Sequence, residues 1–198
     1  MIIHPNALPA ITFAVVLLSW IAFAMIFVNK TRPSESADKK RDTRSIKGIV
    51  VQGLAFAVAW GAHRPYFTPI VSAPRTVEIA TSVFTMLVAI SSVGFTKSAV
   101  RALGKEWSLT ARVLEGHRLA TNGPYAWVRH PIYTAMLGML IATGLATSYW
   151  PALLIAIIIF FIGTVIRLRV EEGLLHETFG AEFDAYARRV SAIVPGIY

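Results

Sequence analysis

Thr147-Ser148-Tyr149-Trp150-Pro151 is the stretch that decides the fold. Ahead of it, residues 132–147 form an apolar run without a charged residue, and beyond it residues 150–166 form another. Only Ser148 and Tyr149 separate the two, and Pro151 stands in the first turn of the second, where its fixed φ and missing N–H suit a helix start. The pair therefore predicts a tight antiparallel helical hairpin. Counting from Tyr149, His130 lies about 19 residues back and Glu171 about 22 forward. At about 1.5 Å per residue both end roughly 28–33 Å from the turn, on one face of a membrane.

Working outward, the chain carries three more apolar runs. Residues 8–28 are long enough to span a bilayer. Ala22-Phe23-Ala24 has the look of a signal-peptidase site, but residues 1–6 hold no Lys or Arg, so the run reads as a retained helix. Residues 46–60 form a shorter second span interrupted by Gly48, Gln52 and Gly53, whose glycines suit close helix packing. Residues 76–95 form a third, extended by Lys97, Arg101 and Lys105. Between them lie a charged loop at 29–45 and a proline-bearing loop at 61–75. After Ile166 the tail carries Leu175, Phe179, Phe183, Tyr186 and Val190 at helical spacing, predicting an amphipathic helix that Gly180 breaks or bends.

The expected fold is thus an all-α integral membrane protein with about five transmembrane helices. The last two form the hairpin, and a C-terminal amphipathic helix caps a cytosolic pocket. Residues 1–95 read as a scaffold of three spans and residues 96–198 as the functional core. Composition agrees: 55% of the 198 residues are hydrophobic and the mean hydropathy is +0.58. Cysteine is absent, which excludes disulfides, thiolate metal sites and Cys nucleophiles, and no metal set is expected. The net charge of +8 belongs to basic loops rather than to a nucleic-acid surface. Those loops place the N-terminus outside and the C-terminus in the cytosol. Lys30 to Lys47, Lys97 to Arg129 and Arg167 to Arg189 then lie inside, with only Arg64 and Arg75 outside.

The hairpin geometry brings Arg129, His130 and Tyr133 to the same membrane face as Arg167, Glu171 and Glu172. Each alone reads as an interfacial anchor, an aromatic belt or a solvated helix end. Together they make a polar cluster at the mouth of an apolar hairpin, and Arg167 shares a helix face with Glu171 four residues on.

Several stretches carry a resemblance. They are Gly116-His117-Arg118-Leu119-Ala120-Thr121-Asn122-Gly123-Pro124-Tyr125, then Arg129-His130-Pro131-Ile132-Tyr133, then Arg167-Leu168-Arg169-Val170-Glu171-Glu172, with Phe179-Gly180, Tyr186 and Val194-Pro195 after them. In this order, over about the C-terminal half, the chain resembles the isoprenylcysteine carboxyl methyltransferase family of integral membrane enzymes. It departs from the family at Ala120, where a larger aliphatic is common, and at Ala135, where a Gly is usual.

The resemblance implies S-adenosyl-L-methionine as methyl donor. It implies a donor site of His117, Arg118, Leu119, Ala120, Tyr125, Arg129, His130, Pro131, Ile132, Tyr133 and Glu171, and places Arg167 near a substrate carboxylate. Glu172 is the candidate base if the acceptor must lose a proton. The expected partners are the lipid bilayer and a lipophilic small-molecule or prenylated substrate. An amine phospholipid or a thiol acceptor stays open, as do a reductase of the sterol-reductase type using NADPH and a non-enzymatic scaffold.

The charge distribution has a direct test. In intact cells, single cysteines replacing Ser36 and Ser72 should react oppositely with an impermeant thiol reagent, Ser72→Cys labelled and Ser36→Cys protected. The reverse pattern would invert the topology.

Overall fold

The computed structural model describes residues 7–28, 38–70, 73–104, 107–108, 111–114 and 118–196. Among these, six helices and one short ladder form: α1 Ala7–Val28, β1 Asp38–Asp42, α2 Ser45–Gly61, α3 Arg75–Leu103, β2 Ala111–Leu114, α4 Pro131–Thr147, α5 Trp150–Phe179 and α6 Ala181–Ala187. A single 3-10 turn, Gly123–Ala126, precedes α4. Helices α1, α3 and α5 are long and apolar enough to cross a membrane, while α2 and α4 are apolar but shorter.

The burial pattern is inverted relative to a water-soluble bundle. The large apolar side chains Leu18 and Met25 on α1, Phe84 and Leu87 on α3, and Ile158 and Ile162 on α5 point outward. The buried seams of α1 and α3 are mostly small and hydroxylated instead: Thr12, Val16 and Ser19 on α1, alongside Phe23, and Thr85, Ala89, Ser92 and Thr96 on α3. Such packing suits lipid, where helices associate by close backbone approach rather than by hiding apolar surface from water. The chain is accordingly an integral membrane protein.

Helix α4 is the central post. It carries no charge and is apolar on all sides, as a helix surrounded by others must be. Met139 joins Val16, Phe23 and Ala89 in one cluster with α1 and α3, while its neighbour Leu140 joins Ala55, Ala156 and Phe160 in a second with α2 and α5. Glycines set the spacing. A Cβ on Gly138 would meet Ser92 of α3 at 2.2 Å, and one on Gly163 would meet the backbone N of Gln52 at 2.8 Å. Gly48 lies as close to α5, whereas Gly53 faces open space. Only the first of those two interrupting glycines therefore serves helix packing.

Three features differ from expectation. The α4–α5 connection is the expected two residues, but α5 packs most extensively on α2 rather than on its hairpin partner. The C-terminal amphipathic stretch is divided at Gly180, the break expected there, but its first half is continuous with α5. Helix α5 runs unbroken to Phe179, taking Leu175 with it, and stops at Gly180, whose φ of +52° suits only glycine. Phe183 and Tyr186 then lie on the seven-residue α6. Finally, the charged loop contributes β1, which pairs antiparallel with β2, so the fold is helical with one small ladder rather than purely α.

The turn end of the bundle is tied by Arg64. Its side chain donates to the carbonyls of Ser148 (2.6 Å), Leu145 (2.8 Å), Ala146 (2.9 Å) and Thr68 (2.9 Å). A cation thus sits on the carbonyl end of α4, where the helix dipole favours it. Burial lowers the Arg64 pKa to about 10. Arg64→Ala should strip several buried carbonyls of their donor and lower stability by at least about 2 kcal/mol. Thermal unfolding in detergent checks this, and Arg64→Lys should recover only part of the loss.

Candidate active site

The chain reaches α4 through the 3-10 turn. Gly123 adopts a φ of +61° and Pro124 opens the turn, which buries Tyr125. His130 caps the start of α4, and Pro131 supplies its first residue. The two acidic neighbours on α5, about 100° apart around the helix, point to different partners. Glu171 accepts from the Tyr133 phenol and from Arg167 Nη2 at 3.3 Å. Glu172 accepts from Arg129 Nε at 2.8 Å.

His130 lies between the carboxylates, Nε2 3.0 Å from Glu172 Oε1 and Nδ1 3.6 Å from Glu171 Oε2. Both ring nitrogens facing carboxylates calls for an imidazolium. Burial opposes that charge, but the hydrogen bond to Glu172 and the facing Glu171 carboxylate outweigh it and raise the His130 pKa above its ordinary value. The ring also stacks on Tyr133, centroids 5.5 Å apart at 12°. On Tyr133, in turn, rests the Arg167 guanidinium, 4.8 Å from the ring centroid.

A second set of bonds holds this arrangement from behind. Arg129 Nη1 donates to the carbonyls of Ala187 (2.9 Å) and Val190. The backbone N–H groups of Arg129 and His130 donate to Ser191 and Ala192 at 2.8 and 3.0 Å. Thr134 Oγ1 donates to Ile193 at 2.6 Å, and Tyr186 to the carbonyl of Tyr125 at 2.6 Å. The C-terminal segment is thus strapped along the approach to α4.

These groups close one end of a cavity of about 430 Å³, whose polar wall includes Arg129, His130, Tyr133, Arg167 and Glu171. Its other walls are mostly apolar, with Trp20, Phe23 and Phe27 from α1, Ile49 and Phe56 from α2, and Met136 from α4, and they also carry the polar Gln52 of α2 and Ser108. Volume and lining are those of a small-molecule site, large enough for a ligand with one charged and one greasy region.

Of the residues singled out by sequence, Tyr125, Arg129, His130, Ile132, Tyr133, Arg167 and Glu171 line this cavity. Pro131 is buried and absent from the cavity wall. Glu172 stands behind His130, engaged by Arg129 and absent from the cavity wall. Arg118 is exposed, and Leu119 and Ala120 are half-buried, away from the cavity wall. His117 lies outside the described residues. Sequence reasoning missed the aromatic wall on α1, and it took Gln52 only as an interruption of α2. Gln52 in fact reaches Arg167. A strongly polar side chain inside an apolar span is the signal that marks it.

The raised His130 pKa carries a pH dependence with a definite sign. A folded value above the ordinary ~6.5 means that its contribution to stability is complete below about pH 6.5 and is lost as pH rises through the folded value. Unfolding temperature in detergent should therefore fall on the alkaline side in the wild type. His130→Gln, which cannot titrate, should lose stability at low pH and show a flatter profile. Identical pH profiles would remove the imidazolium from the account.

Comparison with known proteins gives the site its setting. A family model described as phospholipid methyltransferase matches residues 80–182, just over half of the chain. Over 110 residues, 54% of this chain and 50% of the relative, it is 31% identical to the nickel-cobalt-cadmium resistance protein NccN of Alcaligenes xylosoxydans xylosoxydans. Over 81 residues, 41% of this chain and 34% of the relative, it is 36% identical to protein-S-isoprenylcysteine O-methyltransferase of Saccharomyces cerevisiae. The chain thus aligns with half or less of each relative's length. The matched region 80–182 contains the polar cluster on α4 and α5 together with both helices, so the protein belongs to the phospholipid methyltransferase family.

Proposed function

We propose that this protein is a membrane methyltransferase that uses S-adenosyl-L-methionine and acts on a lipophilic acceptor. The observation that carries the reading is the two-ended cavity, with Glu171, His130, Arg129 and Arg167 at one end and an aromatic wall at the other. Five helices then span the bilayer, with the N-terminus outside and the polar end of the cavity on the cytosolic side, as the positive-inside rule favours.

The residues present fit the donor. When bound, it supplies an electrophilic methyl group on a cationic sulfonium. Glu171 Oε1 takes both Tyr133 and Arg167, so the carboxylate keeps lone pairs for an ammonium or ribose hydroxyls. Arg129, on the cavity wall, offers a cationic donor for a carboxylate. Met136, Phe23 and Trp20 keep water from the region where a lipophilic acceptor would lie, which favours a charge-cancelling transfer. Arg167 is placed between Glu171 and the apolar chamber, suited to orient an anionic group on the acceptor.

That last point favours a carboxylate acceptor. Among the described residues, Glu171 is the one carboxylate on the cavity wall, and Tyr133 and Arg167 already engage it. An amine or thiol would need a base to take its proton, whereas a carboxylate needs none. The amine reading keeps its support from the family description. The name of the yeast relative points to the carboxylate.

Glu171→Gln should weaken S-adenosylmethionine binding by roughly 10- to 150-fold, the worth of one hydrogen bond to a charged group. Calorimetry with the purified, folded protein reads this directly. Affinity equal to wild type would leave the donor assignment without its central residue.

A further inference from the structure

Helix α2 lies outside the region the family model matches, yet it reaches the site through one side chain. Gln52 is 2% exposed in the middle of an apolar helix. Its Nε2 donates to Thr164 Oγ1 at 2.8 Å, and its Oε1 accepts from Arg167 Nη1 at 3.2 Å. The orientation of the amide follows from chemistry at both ends. Thr164 has one hydroxyl proton and donates it to the carbonyl of Phe160 at 2.8 Å, so towards Gln52 it can only accept. Arg167 has no acceptor atom at all, so it requires the amide oxygen. Both ends demand the same arrangement.

One helical turn away, Gly48 leaves room for the arginine stem. A Cβ there would sit 2.4 Å from Arg167 Cγ and 2.6 Å from the carbonyl of Gly163. Gly48 and Gln52, four residues apart on one face of α2, therefore form a slot: bare backbone against the stem, an amide against the head. The amide is neutral. It fixes the guanidinium without cancelling its charge, while Glu171 holds the other terminal nitrogen.

We propose that Gln52 is a positioning residue that aligns Arg167 for an anionic, carboxylate-bearing lipophilic acceptor, making α2 a determinant of acceptor choice. The inference rests on the methyltransferase reading for its context, but its test does not depend on turnover.

Gln52→Met keeps the volume and removes the amide; Gln52→Glu keeps the shape and places a competing anion beside Arg167. The full chain in detergent is titrated calorimetrically with two probes, S-adenosylmethionine and N-acetyl-S-farnesylcysteine, the second a lipophilic carboxylate. Both variants, shown to be folded by thermal unfolding, should bind S-adenosylmethionine within about threefold of wild type. They should bind the farnesylcysteine carboxylate at least about tenfold more weakly, and Gln52→Glu should be the worse of the two. The methyl ester of the same probe, which lacks the anion, should bind both variants as it binds wild type; a merely structural defect would weaken acid and ester alike. Unchanged carboxylate affinity in both variants, equal losses for acid and ester, or a wild type that binds no farnesylcysteine carboxylate overturns the proposal. A wild type that binds no S-adenosylmethionine overturns the parent reading instead, whatever Gln52 does to the second probe.

Discussion

A carboxylate held within an apolar bundle must be satisfied, and Glu171 organises this protein around that requirement. An isolated charge in such surroundings is costly, and only close hydrogen-bonding partners make it tolerable. Glu171 finds them on two helices, the Tyr133 phenol on α4 and the Arg167 guanidinium on its own α5, with His130 at the start of α4 nearby. These contacts cross-link the two helices at the end opposite their two-residue turn. The hairpin is thereby closed at both ends, by the connection and Arg64 at one and by the polar cluster at the other.

From this follows a division of labour between neighbouring acids. Glu172, one residue on, faces Arg129 and so serves the strap that fixes the C-terminal segment along residues 128–134. Glu171 faces the cavity. His130 couples the two, one ring nitrogen towards each carboxylate, so the segment that enters α4 cannot turn without disturbing both. The cost of burying so many charges is met by mutual pairing. That arrangement gives positional definition rather than net stability, since buried ion pairs rarely outperform apolar packing.

The hairpin and its polar mouth were legible in sequence because they depend on counting alone. Two uncharged runs, a two-residue connection and a helical rise place His130 and Glu171 at the same level whatever the rest of the chain does. The break at Gly180 was legible too, since glycine is the residue that ends a helix at positive φ. What surrounds the hairpin was less so. The aromatic wall of α1 and the reach of Gln52 depend on which helices lie side by side, and that is decided by close contacts at Gly48, Gly138 and Gly163 that leave no periodic trace. The ladder escaped for another reason. Asp38–Asp42 is a run of charged residues with no alternation, and its pairing with Ala111–Leu114 comes from the backbone. The unbroken run of α5 from Glu171 on to Phe179 was less legible, because Leu175 and Phe179 read as the start of a separate amphipathic helix once hydropathy falls, although a helix does not end where its environment turns polar.

Binding of the methyl donor at the polar end of the cavity is open to direct observation. The measurement that addresses it most directly is an experimental structure of the full chain with S-adenosylhomocysteine, the demethylated product, bound in a lipid nanodisc. Density for the ligand is expected against His130, Tyr133 and Glu171, with its sulfur facing the chamber lined by Phe23, Phe56 and Met136. Density for the ligand elsewhere on the protein, with this cluster unchanged and untouched, would contradict that placement.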